Sequence, residues 1–177
     1  MPEPKSVLTP AVVHRTVDRI AAEIAERNET GRDVVVVGIQ RGGVHLAQRL
    51  ANALEKIWDQ RVPCGILDVS MHRDDLDAQP AVEVHATSIP VDVTGRTVVL
   101  VDDVLFSGRT TRAALDALSD IGRPRKVQLA VLIDRGHREL PIKADFVGKN
   151  VTTAREDQIT VRLKEEGGDD SVVLERV

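Results

Sequence analysis

One segment near the middle of the chain joins a buried strand, two carboxylates and the start of a helix. The aliphatic residues 98–101 lead directly into Asp102 and Asp103. A continuous apolar run of this kind is typical of a strand that is covered on both faces, as in a parallel sheet. Residues 108–121 then have the apolar spacing of an amphipathic helix, and Gly122 follows its end. A strand that passes at once into such a helix favours an α/β architecture.

The same alternation of apolar runs and helical patterns continues along the chain. Strands are predicted at 34–37, 62–69, 97–103 and 127–133, and helices from residue 10, at 43–58 and at 108–121. This order predicts a central, mostly parallel sheet flanked by helices, with a small hairpin region at 159–177. The polar residues 71–88 predict a mobile loop or an edge hairpin, and residues 1–177 are interpreted as a single domain. The inward face of the helix at 108–121 is predicted to be Ala114, Leu115, Leu118 and Ile121.

The composition excludes several classes of protein. The chain has 177 residues and a formal net charge of −4, so any RNA contact needs a local basic patch rather than general electrostatic attraction. The single cysteine, Cys64, excludes an intrachain disulfide and a cysteine-based metal site. No apolar run is long enough to cross a membrane and no signal peptide opens the chain, which predicts a soluble cytoplasmic protein without a membrane partner.

The central segment also has the chemistry of a sugar-phosphate site. Asp102 and Asp103 can accept hydrogen bonds from the vicinal hydroxyls of a ribose, and the free N–H groups of the next helix can hold a phosphate. Gly108 lets the backbone approach a ligand closely. A solvated turn and a phosphoacceptor receiver domain are alternatives, but both leave the hydroxyl-rich loop without a use. The sequence contains no G-x-x-x-x-G-K-[ST] nucleotide loop.

The segment is similar to the phosphoribosyl pyrophosphate (PRPP) signature of type I phosphoribosyltransferases. Residues 36–43, 73–76 and 129–142, which 144–150 continue, resemble the PyrR family of pyrimidine operon attenuation regulators and uracil phosphoribosyltransferases. The resemblance implies the type I phosphoribosyltransferase fold and transfer of the pentosyl group of PRPP to uracil, giving UMP and pyrophosphate with Mg²⁺ on PRPP. It also implies UMP-dependent binding to the pyr operon mRNA leader, which favours transcription termination, and assembly into a homodimer or higher homo-oligomer.

The resemblance assigns roles to individual residues. Asp102, Asp103 and Arg73 are the implied catalytic residues, and Arg73 would reach pyrophosphate when its loop closes over the substrate. No direct protein ligand to Mg²⁺ is implied, although Asp102 and Asp103 can reach the ion through water. The implied contacts to PRPP or UMP are Arg41, Gly42, Asp102, Asp103, Val104, Leu105, Phe106, Ser107, Gly108, Arg109, Thr110, Arg135 and Ile159.

Three of these assignments have simpler alternatives, and for Arg109 the alternative is a surface charge on the first turn of its helix. Family members often have Thr where this chain has Arg41 and Arg where it has Gly42, so the pyrophosphate contact differs here. A plain strand-to-helix turn accounts for the same two residues. Arg73, Asp74 and Asp75 also fit a solvated charge cluster.

A basic surface is implied to contact RNA. Arg15 and Arg19 are four residues apart and share a face of the first helix. A solvated helix face is the alternative, since Asp18 interrupts this surface. Asp18 and Ala22 also stand where some RNA-binding relatives have Thr and His. The full set of implied RNA contacts is Arg15, Arg19, Arg27, Lys149 and Arg155.

Two other functions remain open from the sequence. The first is an RNA-binding regulator that is catalytically weak or inactive and uses the pocket only to sense UMP or PRPP. The second is a purine phosphoribosyltransferase, because the PRPP elements are shared, although residues 134–150 favour the pyrimidine subfamily.

Overall fold

The structure is a computed structural model that describes residues 2–74 and 84–177. Its helices are α1 (Pro10–Asn28), α2 (Val44–Trp58) and α3 (Arg109–Ile121), and short 3₁₀ turns lie at Ser70–His72 and Lys164–Glu166. Its strands are β1 (Lys5–Leu8), β2 (Val34–Ile39), β3 (Cys64–Leu67), β4 (Thr97–Leu105), β5 (Lys126–Asp134), β6 (Phe146–Asn150), β7 (Gln158–Arg162) and β8 (Ser171–Glu175).

A five-stranded sheet in the order β3-β2-β4-β5-β6 forms the centre of the molecule. Every neighbouring pair in this sheet is parallel, as the helix-linked strands predicted. All six residues of β2 are buried, and so are the first six of β4, which matches their continuous Val-rich runs. The predicted α/β fold with a parallel central sheet is therefore confirmed.

A smaller antiparallel sheet has the order β1-β8-β7. Its two C-terminal strands form a hairpin, in which Thr160 lies opposite Val173. The N-terminal strand β1 pairs with β8, so that Lys5 lies opposite Leu174. Strand β1 was not predicted from the sequence, because a four-residue strand that pairs across almost the whole chain leaves no local pattern.

The helices cover the sheet with a mixture of large and small side chains. The buried face of α1 is Val13, Thr16, Val17, Ile20, Ala21, Ile24 and Ala25. The predicted inward face of α3 is wrong at Ile121, which is 46% exposed in the last turn of the helix. Small residues, among them Ala113 and Ala117, are buried instead and let the helix lie close to the sheet.

The carboxyl ends of the parallel strands meet at one edge of the sheet, where ligands bind in folds of this type. The predicted loop at 71–88 begins beside this edge. Its described ends are the 3₁₀ turn Ser70–His72 and residues 84–88, where Ser88 pairs with Ile66. Residues 75–83 of that prediction lie outside the described residues. No described helix is both long and apolar enough to cross a membrane.

Candidate active site

The acid pair lies at the carboxyl end of β4. Asp102 is 9% exposed and Asp103 is half-buried. An Asp102 carboxylate oxygen accepts the N–H of Asp103 at 2.9 Å, and an Asp103 oxygen accepts the N–H of Val104 at 2.7 Å. Burial and the neighbouring Asp103 raise the pKa of Asp102 well above its usual range, and the positive charge of Arg73 opposes the shift. The pair is therefore suited to a partner that carries positive charge or donates hydrogen bonds.

The loop between β2 and α2 packs directly against this acid pair. A Cβ atom added to Gly42 would overlap the carboxyl group of Asp103, and one added to Gly43 would overlap the carbonyl oxygen of Val101. The Gly43 N–H donates to Ile39 at 2.9 Å, which starts the turn into α2. Glycine is therefore required at both positions by close approach, and the exposed Arg41 directly precedes them. This loop was predicted from the sequence, but its contact with Asp103 was not.

The loop between β4 and α3, residues 106–108, lies at the same edge of the sheet as the acid pair. Gly108 has a φ of +92°, a conformation that glycine adopts readily, and stands at the N-cap of α3. The Ser107 hydroxyl accepts the N–H of Arg109 at 3.3 Å. The first N–H groups of a helix have no partner within the helix, and the first turn of α3 contains no acidic residue. This loop and helix terminus are therefore suited to bind a phosphate.

The side chain of Arg109 is directed to carboxylates. It donates to Asp74 at 2.6 Å and to Glu139 at 3.1 Å. Arg112 also contacts Asp74, at 3.2 Å, and Glu139 also binds Arg155. The guanidinium group of Arg109 is therefore engaged by Asp74 and Glu139, and the part of this residue that faces a phosphate site is its backbone at the start of α3.

Arg135 lies directly after β5, at the same edge of the sheet. It is 8% exposed, donates to the carbonyl groups of Ala154 at 2.9 Å and Arg155 at 3.2 Å, and lies 4.2 Å from the ring centre of Phe106. Burial lowers the pKa of Arg135, and Asp157 opposes that shift. Its Nε atom is buried without a hydrogen-bond partner among the described residues.

A cavity of about 500 Å³ opens beside Arg135, lined by residues 134–138 and 150–153. The other predicted contacts lie at different depths. Leu105 is 3% exposed in the core, so its side chain cannot reach a ligand, whereas Val104 is half-buried. Ile159 is half-buried in β7, a strand that contacts β4.

The residues predicted to contact RNA fall into two groups. Arg19 donates to the carbonyl of Gly148 in β6, Arg27 pairs with Asp145 at 3.0 Å, and Lys149 reaches the carbonyl of Val7 at 3.4 Å. These three therefore share one surface along α1 and the outer strand β6, and the exposed Arg15 lies on the same helix. Arg155 lies apart from them.

A metal ion at this site would depend on the acid pair. Among residues 2–74 and 84–177, no set of three or more His, Cys, Asp or Glu side chains is placed to hold a metal ion. Two adjacent carboxylates, one of them buried with a raised pKa, still fit a cation that takes most of its ligands from water and substrate oxygens. Mg²⁺ has that preference.

Comparisons with known proteins agree with this geometry. The phosphoribosyl transferase domain family matches residues 10–165. The bifunctional protein PyrR of Roseiflexus sp. (strain RS-1) is 61% identical over 174 residues, which cover 97% of this chain and 95% of the relative. The chain belongs to the PyrR family of phosphoribosyltransferases. The PyrR proteins of Streptomyces coelicolor and Enterococcus faecalis are 57% and 48% identical; both matches cover 97% of this chain, and 90% and 97% of the relatives.

Solved structures of more distant proteins share the PyrR chain's fold. A hypoxanthine phosphoribosyl transferase of Trypanosoma cruzi has a TM-score of 0.75 at 18% identity, covering 97% of this chain and 91% of that one. A hypoxanthine-guanine phosphoribosyltransferase of Bacillus anthracis has a TM-score of 0.68 at 22% identity, covering 85% and 86%. At these identities the likeness shows the fold alone. The predicted family, fold and phosphoribosyltransferase activity are thus confirmed, and the PyrR relatives do not favour a purine enzyme.

Proposed function

We propose that this protein transfers the phosphoribosyl group of PRPP to uracil, and that with UMP bound it regulates pyrimidine biosynthesis by binding an mRNA leader. The observation that carries the first part is the placement of a buried acid pair directly before the N-terminus of α3. The acid pair suits ribose hydroxyls, and the helix terminus that follows it suits a 5′-phosphate.

The reaction forms a bond between N1 of uracil and C1 of the ribose, and breaks the bond from C1 to the pyrophosphate oxygen. Pyrophosphate leaves with the electron pair, and the N1 proton passes to solvent. Asp102 and Asp103 hold the ribose hydroxyls while positive charge develops at C1. The residues 106–111 fix the 5′-phosphate, and Arg41 and Arg73 neutralise the leaving pyrophosphate. The protein acts by positioning and electrostatics, without a strong base.

Mg²⁺ bound with PRPP would supply further neutralisation of the pyrophosphate. Asp102 and Asp103 are the residues that would hold it, directly or through water. Burial and Asp103 raise the pKa of Asp102, and a cation bound beside the pair would offset the cost of ionising this carboxyl group.

Uracil is assigned to the cavity beside Arg135 and His137. The cavity of about 500 Å³ lies at the carboxyl ends of β5 and β6, and Arg135, which lines it, packs against the ring of Phe106. Loop backbone groups there suit a pyrimidine edge that alternates carbonyl acceptors with an N–H donor, and the family resemblance assigns backbone contacts at Ile159 to the same edge. The PyrR relatives support uracil over a purine.

The RNA partner is assigned to the surface that α1 and β6 share. Arg15, Arg19, Arg27 and Lys149 lie there; Arg19 is paired with Glu23 and Arg27 with Asp145, so a phosphate would have to compete with these carboxylates. Phosphate contacts of this kind need only a local basic surface. A cytoplasmic homodimer or higher homo-oligomer that presents this surface would meet a nascent pyr operon leader and favour termination of its transcription.

The enzyme assignment is tested by UMP formation from labelled uracil, PRPP and Mg²⁺, with hypoxanthine and guanine as parallel substrates. Turnover with uracil alone is expected. Turnover with a purine would overturn the base assignment. No turnover with any base, together with UMP-dependent RNA binding, would instead establish a nucleotide-sensing regulator.

The RNA assignment is tested by gel shift with the pyr leader of the same organism, with and without UMP. Arg15→Gln is expected to weaken binding and to lower the slope of log affinity against log salt by about one, as for loss of one phosphate contact. Uracil turnover should not change. Arg123→Gln, on the loop between α3 and β5, is the matched control. Equal RNA affinity of the two variants would contradict the proposed surface.

A further inference from the structure

The guanidinium group of Arg138, which is partly buried, makes hydrogen bonds to backbone carbonyl groups and to a carboxylate from different segments of the chain. Its Nε donates to the carbonyl of Ile142 at 2.8 Å, and one terminal nitrogen donates to the carbonyl of Phe106 at 2.9 Å. The other terminal nitrogen pairs with a carboxylate oxygen of Asp134 at 2.6 Å. The bond to Phe106 is the informative one, because it ends on the backbone of the phosphate-binding loop.

The residues that follow Arg138 contact the next two positions of that loop. The N–H groups of Glu139 and Leu140 both donate to the carbonyl of Ser107, at 2.9 and 3.1 Å. Gly108 lies so close to Ile142 that an added Cβ would be 3.0 Å from its side chain. Each residue from 106 to 108 is therefore held by the segment 138–142.

The position of Asp134 keeps the arginine in place. Burial acts to raise the pKa of Asp134, but hydrogen bonds from Arg138 and from the N–H of Gly136 outweigh it and lower that pKa. The carboxylate is therefore ionised at neutral pH and opposes the guanidinium group. Only arginine has a planar set of donors that can serve Asp134, Phe106 and Ile142 together.

We propose that Arg138 is a positioning residue for the 5′-phosphate, which it acts on through the carbonyl of Phe106. By fixing residues 106–108 it directs the first N–H groups of α3 to the place where the phosphate binds, before the ligand arrives. This inference rests on the proposed nucleotide site, since it requires that residues 106–111 bind the phosphate.

The test compares two ligands that differ only in the phosphate. The dissociation constants of UMP and uridine are measured by calorimetry for the wild type and Arg138→Gln. UMP affinity should fall by about tenfold to a hundredfold, as for a misplaced binding group, while uridine affinity should stay within about twofold. Arg138→Lys should restore part of the loss, because it keeps the charge beside Asp134 but not the fork of donors.

Arg49→Gln is the matched control for a purely structural effect. Arg49 also binds two carboxylates, Glu165 at 2.7 Å and Asp170 at 2.8 Å, but at the far side of α2. It should lower thermal stability without changing the ratio of the two dissociation constants. If Arg138→Gln does not fold, Arg138→Lys alone must show a selective loss of UMP affinity.

Equal losses for UMP and uridine, or no loss for either, would overturn the role of Arg138. A wild-type protein that binds UMP no better than uridine would overturn the phosphate site itself and this inference with it. The two failures are therefore distinguishable within one experiment.

Discussion

The two sides of the acid pair are built in different ways. On the phosphate side, residues 106–108 are held by hydrogen bonds to their backbone from the segment 138–142. The segment containing Arg73, which is assigned to pyrophosphate, is instead attached to α3 by side-chain contacts at the surface. These are the pairs of His72 with Asp120 at 2.6 Å and of Asp74 with Arg109 at 2.6 Å.

The difference follows the chemistry of the proposed reaction. The ribose 5-phosphate group is common to PRPP and UMP, so its site can be fixed before either binds. Pyrophosphate is present in PRPP but not in UMP, so the segment containing Arg73 must let pyrophosphate bind and then release it. Exposed ion pairs contribute little free energy and exchange easily, which suits a segment that must change partners. Backbone-directed bonds in a partly buried loop suit the side that stays constant.

The largest effect is expected where the two sides meet. The double variant Asp102→Asn, Asp103→Asn should lower kcat/KM for PRPP by about a hundredfold to a thousandfold, because it removes the negative charge that faces the developing cation. The exposed Asp116→Asn on α3 is the control and should turn over normally. Steady-state assays measure this change, and a loss in kcat/KM of less than about fivefold would show that the pair is not part of the site.

Gly42→Ala tests the packing of the pyrophosphate-side loop against the acid pair. The new methyl group would overlap the Asp103 carboxyl and displace it, so kcat/KM should fall by about tenfold to a hundredfold. Gly95→Ala, at a φ of +77° with no atom near the new methyl group, adds backbone strain away from the site and should lower stability without changing kcat/KM. A Gly42→Ala enzyme with wild-type kinetics would contradict the close contact.

The buried carboxyl group should also be visible in the pH dependence of stability. Its pKa is raised in the folded protein, so the folded state keeps a proton that the unfolded state releases above about pH 4. The stability that this proton provides is lost as pH rises through the folded pKa. Asp102→Asn should therefore gain in Tm relative to wild type as pH rises from about 4 towards 8, without Mg²⁺ or nucleotide. A constant difference would mean that Asp102 titrates normally.

The smallest effect is expected at the surface attachments. Asp74→Asn removes the carboxylate that contacts Arg109 and Arg112, yet KM for PRPP should change by less than about fivefold, since exposed pairs contribute little. Asp134→Asn on the phosphate side removes one comparable pair but should raise KM for PRPP more. Measured under the same conditions, a larger effect at Asp74 would reverse the comparison between the two sides.

Local pattern was enough to predict the parallel sheet and the acid pair. The apolar run of β4, the carboxylates after it and the hydroxyl-rich start of α3 are adjacent in the chain. Their geometry follows from how a strand passes into a helix. The family resemblance added Arg73 and Arg135 to the site, and the structure places the charge of Arg73 close enough to act on Asp102.

Contacts between distant segments were not predictable in this way. The tie from Arg138 to Phe106 spans 32 residues, and the pairing of β1 with β8 spans most of the chain. Arg109 was predicted as part of the phosphate loop, but the partners of its side chain in the structure, Asp74 and Glu139, are remote in sequence and were not predicted. A single sequence carries no local signal for such partners.

The most direct test of the account is a crystal structure of the protein with UMP. The 5′-phosphate should accept hydrogen bonds from the N–H groups at the start of α3, with the ribose hydroxyls at Asp102 and Asp103 and the base in the cavity beside Arg135. The loop at 106–108 should keep the conformation described here. A phosphate bound elsewhere, or a phosphate loop that rearranges to receive it, would contradict the central claim that this site is formed in advance.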